Sequence, residues 1–309
     1  MPSQIRVLQG IRVLTLALNL PGPAAVMRCR QMGATCTKLE PPSGDPMGRY
    51  NPSAYAQMHE GVRVVEADLK SEAGQKVLQR ELAKTDVLLT SFRPSALQKL
   101  GLGWKQLHTS HPNLSQVAIV GAAGARAEEP GHDLTYLADN GLVPGLELPA
   151  TLYADMSGSL MASEAVLQAA LVRNERYAGS GENHPQGVFI EVALADAAAY
   201  LSLPRQWGLT APTGAVGGAH AGYAVYPCKD GRVAVAALEP HFAAALGKLA
   251  GVQGQDTGMR EPATRTAVAT FFAGRTRAEL DRLAREHDLP LHCMDQATSL
   301  TSPGPDGSA

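Results

Sequence analysis

Five side chains in this sequence have the types and settings needed to bind or move charge. In GHDLTY (131–136) a glycine precedes adjacent imidazole and carboxyl groups, His132 and Asp133. Asp155 lies in YADMSGS, where an Ala-rich run begins, and Glu239 stands directly before Pro240 at the end of RVAVAAL. Arg93 sits in SFRP after an apolar run, where its planar fork of donors suits a phosphate. A carboxylate and an imidazole from separate elements make a possible pair of bases on opposite sides of a substrate. Abstracting a proton beside a carbonyl needs a base within hydrogen-bond reach and donors for the enolate oxygen, and racemisation needs an acid on the other face. Simpler roles compete at each position. Asp155 could cap the helix it opens; Glu239 could be a favourable acid in a first turn or could orient the His132 ring; Arg93 could be a solvated loop residue. Cys228, beside the Lys229-Asp230-Gly231 turn, reads as packing, and Lys229 as solvent-facing.

The elements that must position these groups follow from the apolar pattern. IRVLTLAL (11–18) reads as a strand, LPGP as a turn, 24–32 as a helix ended by Gly33, and 34–40 as a second strand. That order predicts a right-handed parallel unit whose first strand opens its carboxyl end to a ligand. GxGxxG is absent, so a nucleotide role does not follow. Residues 41–55, rich in turn formers, read as a surface loop; strands at 62–69, 85–92 and 115–121 alternate with helices at 72–84 and 96–100. A long helix over 156–176, a strand at 187–194 leading into a further helix, a glycine-rich loop, a hairpin at 223–238 and helices at 240–251 and 264–274 complete the reading. The expected division is a large domain over 1–200 that carries the active-site loops, a small α/β domain over 201–295 and a flexible tail over 296–309.

A chain of 309 residues with 45% hydrophobic content can bury a sizeable core. Its 27 basic and 29 acidic side chains give a formal charge of -2, so no global field draws it to nucleic acid or an anionic membrane. Four scattered cysteines form no CxxC and no zinc-ligand cluster, and no apolar run reaches membrane-spanning length. A cytoplasmic protein with neither metal nor membrane partner is expected.

Taken in order, LQGIRVL, the PGP turn, MGATCTKLEPPSGDP, ADLKSEAG, DVLLTSFRPSALQKLGLGW, PGHDLTY, YADMSGS, GVFIEVAL and YPCKDGRVAVAALEPHF resemble the family III CoA-transferase and alpha-methylacyl-CoA racemase superfamily, also called CaiB/BaiF. The resemblance implies an α/β fold with a Rossmann-like large domain and a smaller α/β domain, an interlocked homodimer and an acyl-CoA substrate. Coenzyme A then enters as part of the substrate, with no tightly bound prosthetic group. Racemase members use a histidine and an aspartate for 1,1-proton transfer at C2; the matching residues are His132 and Asp155, with Asp133 as neighbour, Glu239 supporting the imidazole and Arg93 anchoring CoA. In transferase members the residue matching Asp155 is a nucleophile that passes through an anhydride and an enzyme–CoA thioester. The full GHD, YAD and LEP set favours racemase-like chemistry, with CoA transfer as the alternative and a noncatalytic CoA-binding homologue as the third reading.

Several positions depart from the family pattern. QMHEGVRVVEADLK replaces a basic NRGKRS-type stretch, Pro41 stands where a basic residue is common, Gly121-Ala122-Ala123 replaces a Gly-Phe-Gly motif, and Ala224 occupies a frequent aspartate position. The usual C-terminal return to the large domain is expected to be missing.

Overall fold

A computed structural model describes residues 5–178, 186–252 and 256–296. Strand β1 (Arg12–Thr15) leads through a turn into α1 (Pro21–Gln31), and β2 (Thr35–Glu40) returns parallel to β1, with Arg12 opposite Thr35 and Thr15 opposite Lys38. Pro21 suits a first helical position because its fixed φ matches the helix and its missing N–H was unpaired in any case. Two short helices follow, α2 (Met47–Tyr50) and α3 (Pro52–Met58), then β3 (Arg63–Glu66), α4 (Glu72–Leu82), β4 (Val87–Thr90), α5 (Pro94–Lys99), α6 (Trp104–Ser110) and β5 (Ser115–Val120). Helices α7 (Asp133–Asp139) and α8 (Tyr153–Ala178) precede β6 (Phe189–Ala193), and α9 (Leu194–Gln206) follows it. The six strands form one parallel sheet in the order β3-β2-β1-β4-β5-β6. Strand order reverses between β1 and β4, the place where open α/β sheets leave a crevice at their carboxyl ends.

Both faces of this sheet are covered, and its inner strands carry short apolar runs, Val13-Leu14, Val87-Leu88-Leu89 and Val117-Ala118-Ile119-Val120. Val13, Val87 and Val117 point to one side and pack with Cys29, Ala162 and Val166; Leu14, Leu39 and Leu88 point to the other and pack with Leu78, Leu82 and Leu97. Alternation along each strand thus feeds two cores at once.

The expectation of a bare surface loop over 41–55 is corrected by α2 and α3. The turn formers in this stretch act as caps: Asn51 accepts the Ala54 N–H at 3.1 Å ahead of Pro52, and Asp45 accepts the Met47 N–H at 2.9 Å. Met47 and Met58 are buried against Ala24.

By contacts the chain divides into two compact units, Met1–Ser202 and Leu203–Ala309. The second unit holds the antiparallel sheet of β7 (Tyr223–Cys228), β8 (Gly231–Ala236) and β9 (Leu291–Met294), together with α10 (Pro240–Leu249), α11 (Pro262–Ala273) and α12 (Arg277–His287). Its core joins Val233 and Val235 to Leu246, Val268, Phe272 and Leu280. Elements α12 and β9 were not anticipated. The flexible tail expected over 296–309 lies, from residue 297, outside the described residues. Among the described residues no helix is long and apolar enough to cross a membrane.

Candidate active site

A cavity of about 360 Å³ opens at the carboxyl ends of β1, β4 and β5. Its wall combines Leu18 and Asn19 after β1, Phe92 and Arg93 after β4, and Ile119 to Gly121 where β5 ends. His132, Tyr136 and Asp155 close it from α7 and α8. The topology therefore gathers three residues separated by tens of positions, Arg93, His132 and Asp155, around one space.

His132 is the residue from which α7 starts. Its backbone is extended (φ -142°, ψ 169°), and the Thr135 hydroxyl accepts its N–H at 3.0 Å while donating back to its carbonyl at 2.8 Å. This local clasp fixes the helix entry and leaves the imidazole exposed on the cavity lip. GHDLTY thus opens a helix, and the next residue, Asp133, turns inward and is buried.

Asp155 occupies the first turn of α8, but the capping role considered for it belongs to its neighbour in space. Oδ1 of Asp133 accepts the Asp155 N–H at 2.9 Å, meeting one of the unpaired donors at the start of α8. The Asp155 carboxylate has no hydrogen-bond donor among the described residues. Burial, reinforced by the Asp133 carboxylate and opposed by His132, pushes the Asp155 carboxyl from 3.8 up to about 6. A group at that value can both take and return a proton near neutral pH.

Arg93, exposed, is the residue before Pro94 at the start of α5, facing the cavity. The loop opposite is tied down by Glu128, whose carboxylate accepts from Ser95 N at 2.6 Å and Ser95 Oγ at 2.9 Å. Glu239 lies in the second unit, exposed, as the residue preceding α10, and makes no side-chain cap there. The cavity is lined by the first unit alone.

Tyr136 was not singled out by sequence reasoning, though its spacing four residues after His132 on a helix was a usable signal. Its hydroxyl lies between two glycines: a Cβ at Gly121 would come within 2.3 Å of it, and one at Gly131 within 2.5 Å. Any side chain at either position would displace the ring from the cavity wall. Burial raises the Tyr136 hydroxyl pKa, with Asp155 adding to the rise and Arg93 opposing it. Asn19, on the same wall, was not singled out either, and no spacing rule points to it.

A second group of ionisable residues lies beside this site. Lys38, fully buried, donates to Asp45 and to His59 Nε2 at 2.8 Å and forms an ion pair with Glu40 at 3.0 Å, with the Tyr55 ring centroid 5.3 Å away. His59 Nδ1 lies 2.7 Å from the Tyr55 carbonyl, so this nitrogen carries the proton and Nε2 accepts. Burial, the first cause, lowers the His59 pKa and keeps the ring neutral. Ligand atoms of Glu40, Asp45 and His59 come within 4.8 Å of one another, a spacing that would suit a metal ion. The Lys38 ammonium already supplies the cation among them.

The sequence pattern of CoA-transferase family III matches residues 8–302. Alpha-methylacyl-CoA racemase of Homo sapiens is 30% identical over 295 residues, which cover 88% of this chain and 73% of that protein. Cinnamoyl-CoA:phenyllactate CoA-transferase of Clostridium sporogenes is 32% identical over 158 residues, 47% of this chain and 38% of that protein. Among solved structures, a hypothetical protein from Mycobacterium tuberculosis shares the fold with a TM-score of 0.78 at 24% identity, covering 95% of this chain and 86% of that one.

Proposed function

The chain belongs to CoA-transferase family III, and from that premise we propose that it acts on an acyl-CoA, moving the C2 proton of a 2-methylacyl group from one face to the other. The observation that carries this reading is the Asp155 carboxyl, pushed up to about 6 inside a cavity that it shares with His132. A general base works best when its pKa lies near the operating pH. In one direction the Asp155 carboxylate takes the C2 proton, and the electron pair of the broken C–H bond delocalises into the thioester carbonyl as an enolate. The His132 imidazolium then delivers a proton to the opposite face. The reverse direction exchanges the two roles. Arg93, on the same wall, is suited to hold a CoA phosphate with its forked donors. These steps use side chains alone, and coenzyme A takes part only as the carrier of the acyl group.

One feature of the same site favours CoA transfer as a second reading. A carboxylate facing the cavity without a protein donor is free to attack the thioester carbon, forming an acyl anhydride and releasing the CoA thiolate. Incubation with (2R)- and (2S)-2-methylacyl-CoA in deuterated water, followed by mass spectrometry, separates the two. Proton transfer predicts deuterium at C2 from both isomers, with inversion lost in His132→Gln and in Asp155→Asn and exchange confined in each to the isomer that faces the remaining base. Transfer predicts a hydroxylamine-trapped Asp155 without C2 exchange, which would overturn the first reading.

The same premise leads us to propose two copies of the chain interlocked in solution. Tyr153, Met156, Leu160 and Leu171 form an exposed apolar stripe on α8, and Leu146 and Leu148 stand fully or largely in solvent beside its start. Apolar surface of this extent marks an interaction face. Sedimentation should give twice the chain mass, and a monomer at micromolar concentration would count against it.

A further inference from the structure

Asn19 is one of two non-glycine residues with left-handed backbone among the described residues, at φ 64°. It sits on the cavity wall with Asp155, in the turn between β1 and α1. The surrounding structure holds it there: both oxygens of Asp45 accept its N–H, at 3.1 and 3.2 Å, and Asp45 is itself buried and paired with Lys38. A buried ion pair is thus aimed at the backbone of one exposed cavity residue. Asparagine tolerates this conformation through its short polar side chain. Glycine would adopt it without strain and meet the same Asp45 carboxylate through the same N–H. Backbone requirements therefore do not explain why a carboxamide stands at this position.

The side chain points to the reason. The Tyr50 hydroxyl donates to Asn19 Oδ1 at 3.5 Å. That contact is long, and Nδ2 has no protein acceptor among the described residues. Burial raises the Tyr50 hydroxyl pKa, and the Asp45 and Asp155 carboxylates add to the rise, so the Tyr50–Asn19 pair lies within the field of Asp155. An amide N–H is then available in a cavity whose base generates negative charge on a bound thioester. Proton abstraction at C2 and attack on the thioester carbon place that charge on the same atom, the carbonyl oxygen.

We propose that Asn19 is a substrate-contacting residue whose carboxamide N–H donates to the thioester carbonyl oxygen. The assignment rests on the acyl-CoA reading above and holds for either reaction. Asn19→Gly is the decisive variant, because it keeps the left-handed backbone and the bond to Asp45 while deleting the amide. Asn19→Asp keeps the shape and deletes the donor. Turnover in both should fall about 10²- to 10³-fold in kcat, the loss typical of a missing oxyanion donor, with KM changed much less.

A binding measurement makes the test independent of turnover. Two CoA analogues serve as probes in calorimetry, a ketone with methylene in place of the thioester sulfur and a thioether with no carbonyl. The wild type should prefer the ketone by about tenfold, the value of one good hydrogen bond, and both variants should bind the two equally. Preference for the ketone that survives in Asn19→Gly, or its absence in the wild type, would overturn the proposal. A wild type that shows the preference but neither C2 exchange nor transfer would sink the reaction assignment and leave the Asn19 contact standing.

Discussion

Two clusters of ionisable side chains sit at the carboxyl ends of the same sheet, and they have opposite electrostatic designs. Around Lys38, the ammonium donates to Asp45 and His59 and pairs with the Glu40 carboxylate, and the cluster is closed to solvent. Around Asp155 the carboxylate has no hydrogen-bond donor among the described residues, and the second carboxylate, Asp133, uses an oxygen on the Asp155 backbone and adds a negative field that His132 only partly offsets. Satisfied buried charges rigidify a fold, whereas a carboxylate held at an elevated pKa in a cavity is poised to react. On the proposed function the contrast separates a structural cluster from a chemical one, although both contain the residue types that catalytic sites use.

The sharpest way to test the contrast is Asp155→Asn, which should move activity and stability in opposite directions. Turnover of acyl-CoA should fall about 10³-fold or more, as expected when an acid–base group is deleted. Stability should rise. A carboxyl raised from 3.8 to about 6 favours its neutral form in the fold, so the wild type carries a penalty that is absent below about pH 4 and complete above about pH 6. Thermal melts at pH 8 should therefore show the variant more stable by on the order of 1–3 kcal/mol, with the gap closing as pH falls. A variant less stable at pH 8 would show that Asp155 is a structural residue.

Lys38→Met should do the reverse. It leaves Glu40 and Asp45 buried without a cation, which costs about 3–5 kcal/mol. Denaturant titration at pH 8 should read this loss as a lower midpoint with an unchanged slope. A loss below about 1 kcal/mol would mean that water reaches the cluster and that it is not closed.

Legibility in the sequence differs between the two clusters for a physical reason. The parallel sheet could be read because strands buried on both faces are nearly continuous apolar runs punctuated by glycine and proline. Arg93, His132 and Asp155 could be found because each stands at a boundary between elements, and the family resemblance added their roles. The Lys38 cluster was not found: Lys38 is fully buried in TCTKLE, an environment that a lone lysine in a strand does not announce, and Asp45 falls in a stretch that reads as turn. Only long-range contacts create its environment. Helix α12, by contrast, was legible and was overlooked: RAELDRLAREH sets Leu280 and Leu283 on one face against the core, and Thr276 and Glu279 form a capping box at its start.

Asp133→Asn sharpens the comparison from the catalytic side. An amide oxygen can still accept the Asp155 N–H, so α8 keeps its cap, while the charge that helps raise Asp155 disappears. Asp155 should then ionise at lower pH, and the acid limb of the rate profile should move down by about one pH unit or less. An unmoved limb would mean that burial alone sets Asp155.

His59→Gln is the mildest of these changes and addresses the closed cluster. The side-chain oxygen of glutamine can accept from Lys38 as Nε2 does, so stability at pH 8 should change by about 1 kcal/mol or less. The informative difference lies in acid. His59 is held neutral with its pKa below the ordinary 6.5, so the unfolded chain binds a proton there that the folded chain refuses. Stability is therefore lost as pH falls through 6.5 toward the folded value, and that portion should vanish in the variant. If the wild-type and variant stability curves stay parallel between pH 8 and pH 5, the imidazole is not protonating against Lys38. The acid sensitivity of the fold would then belong to the carboxylates.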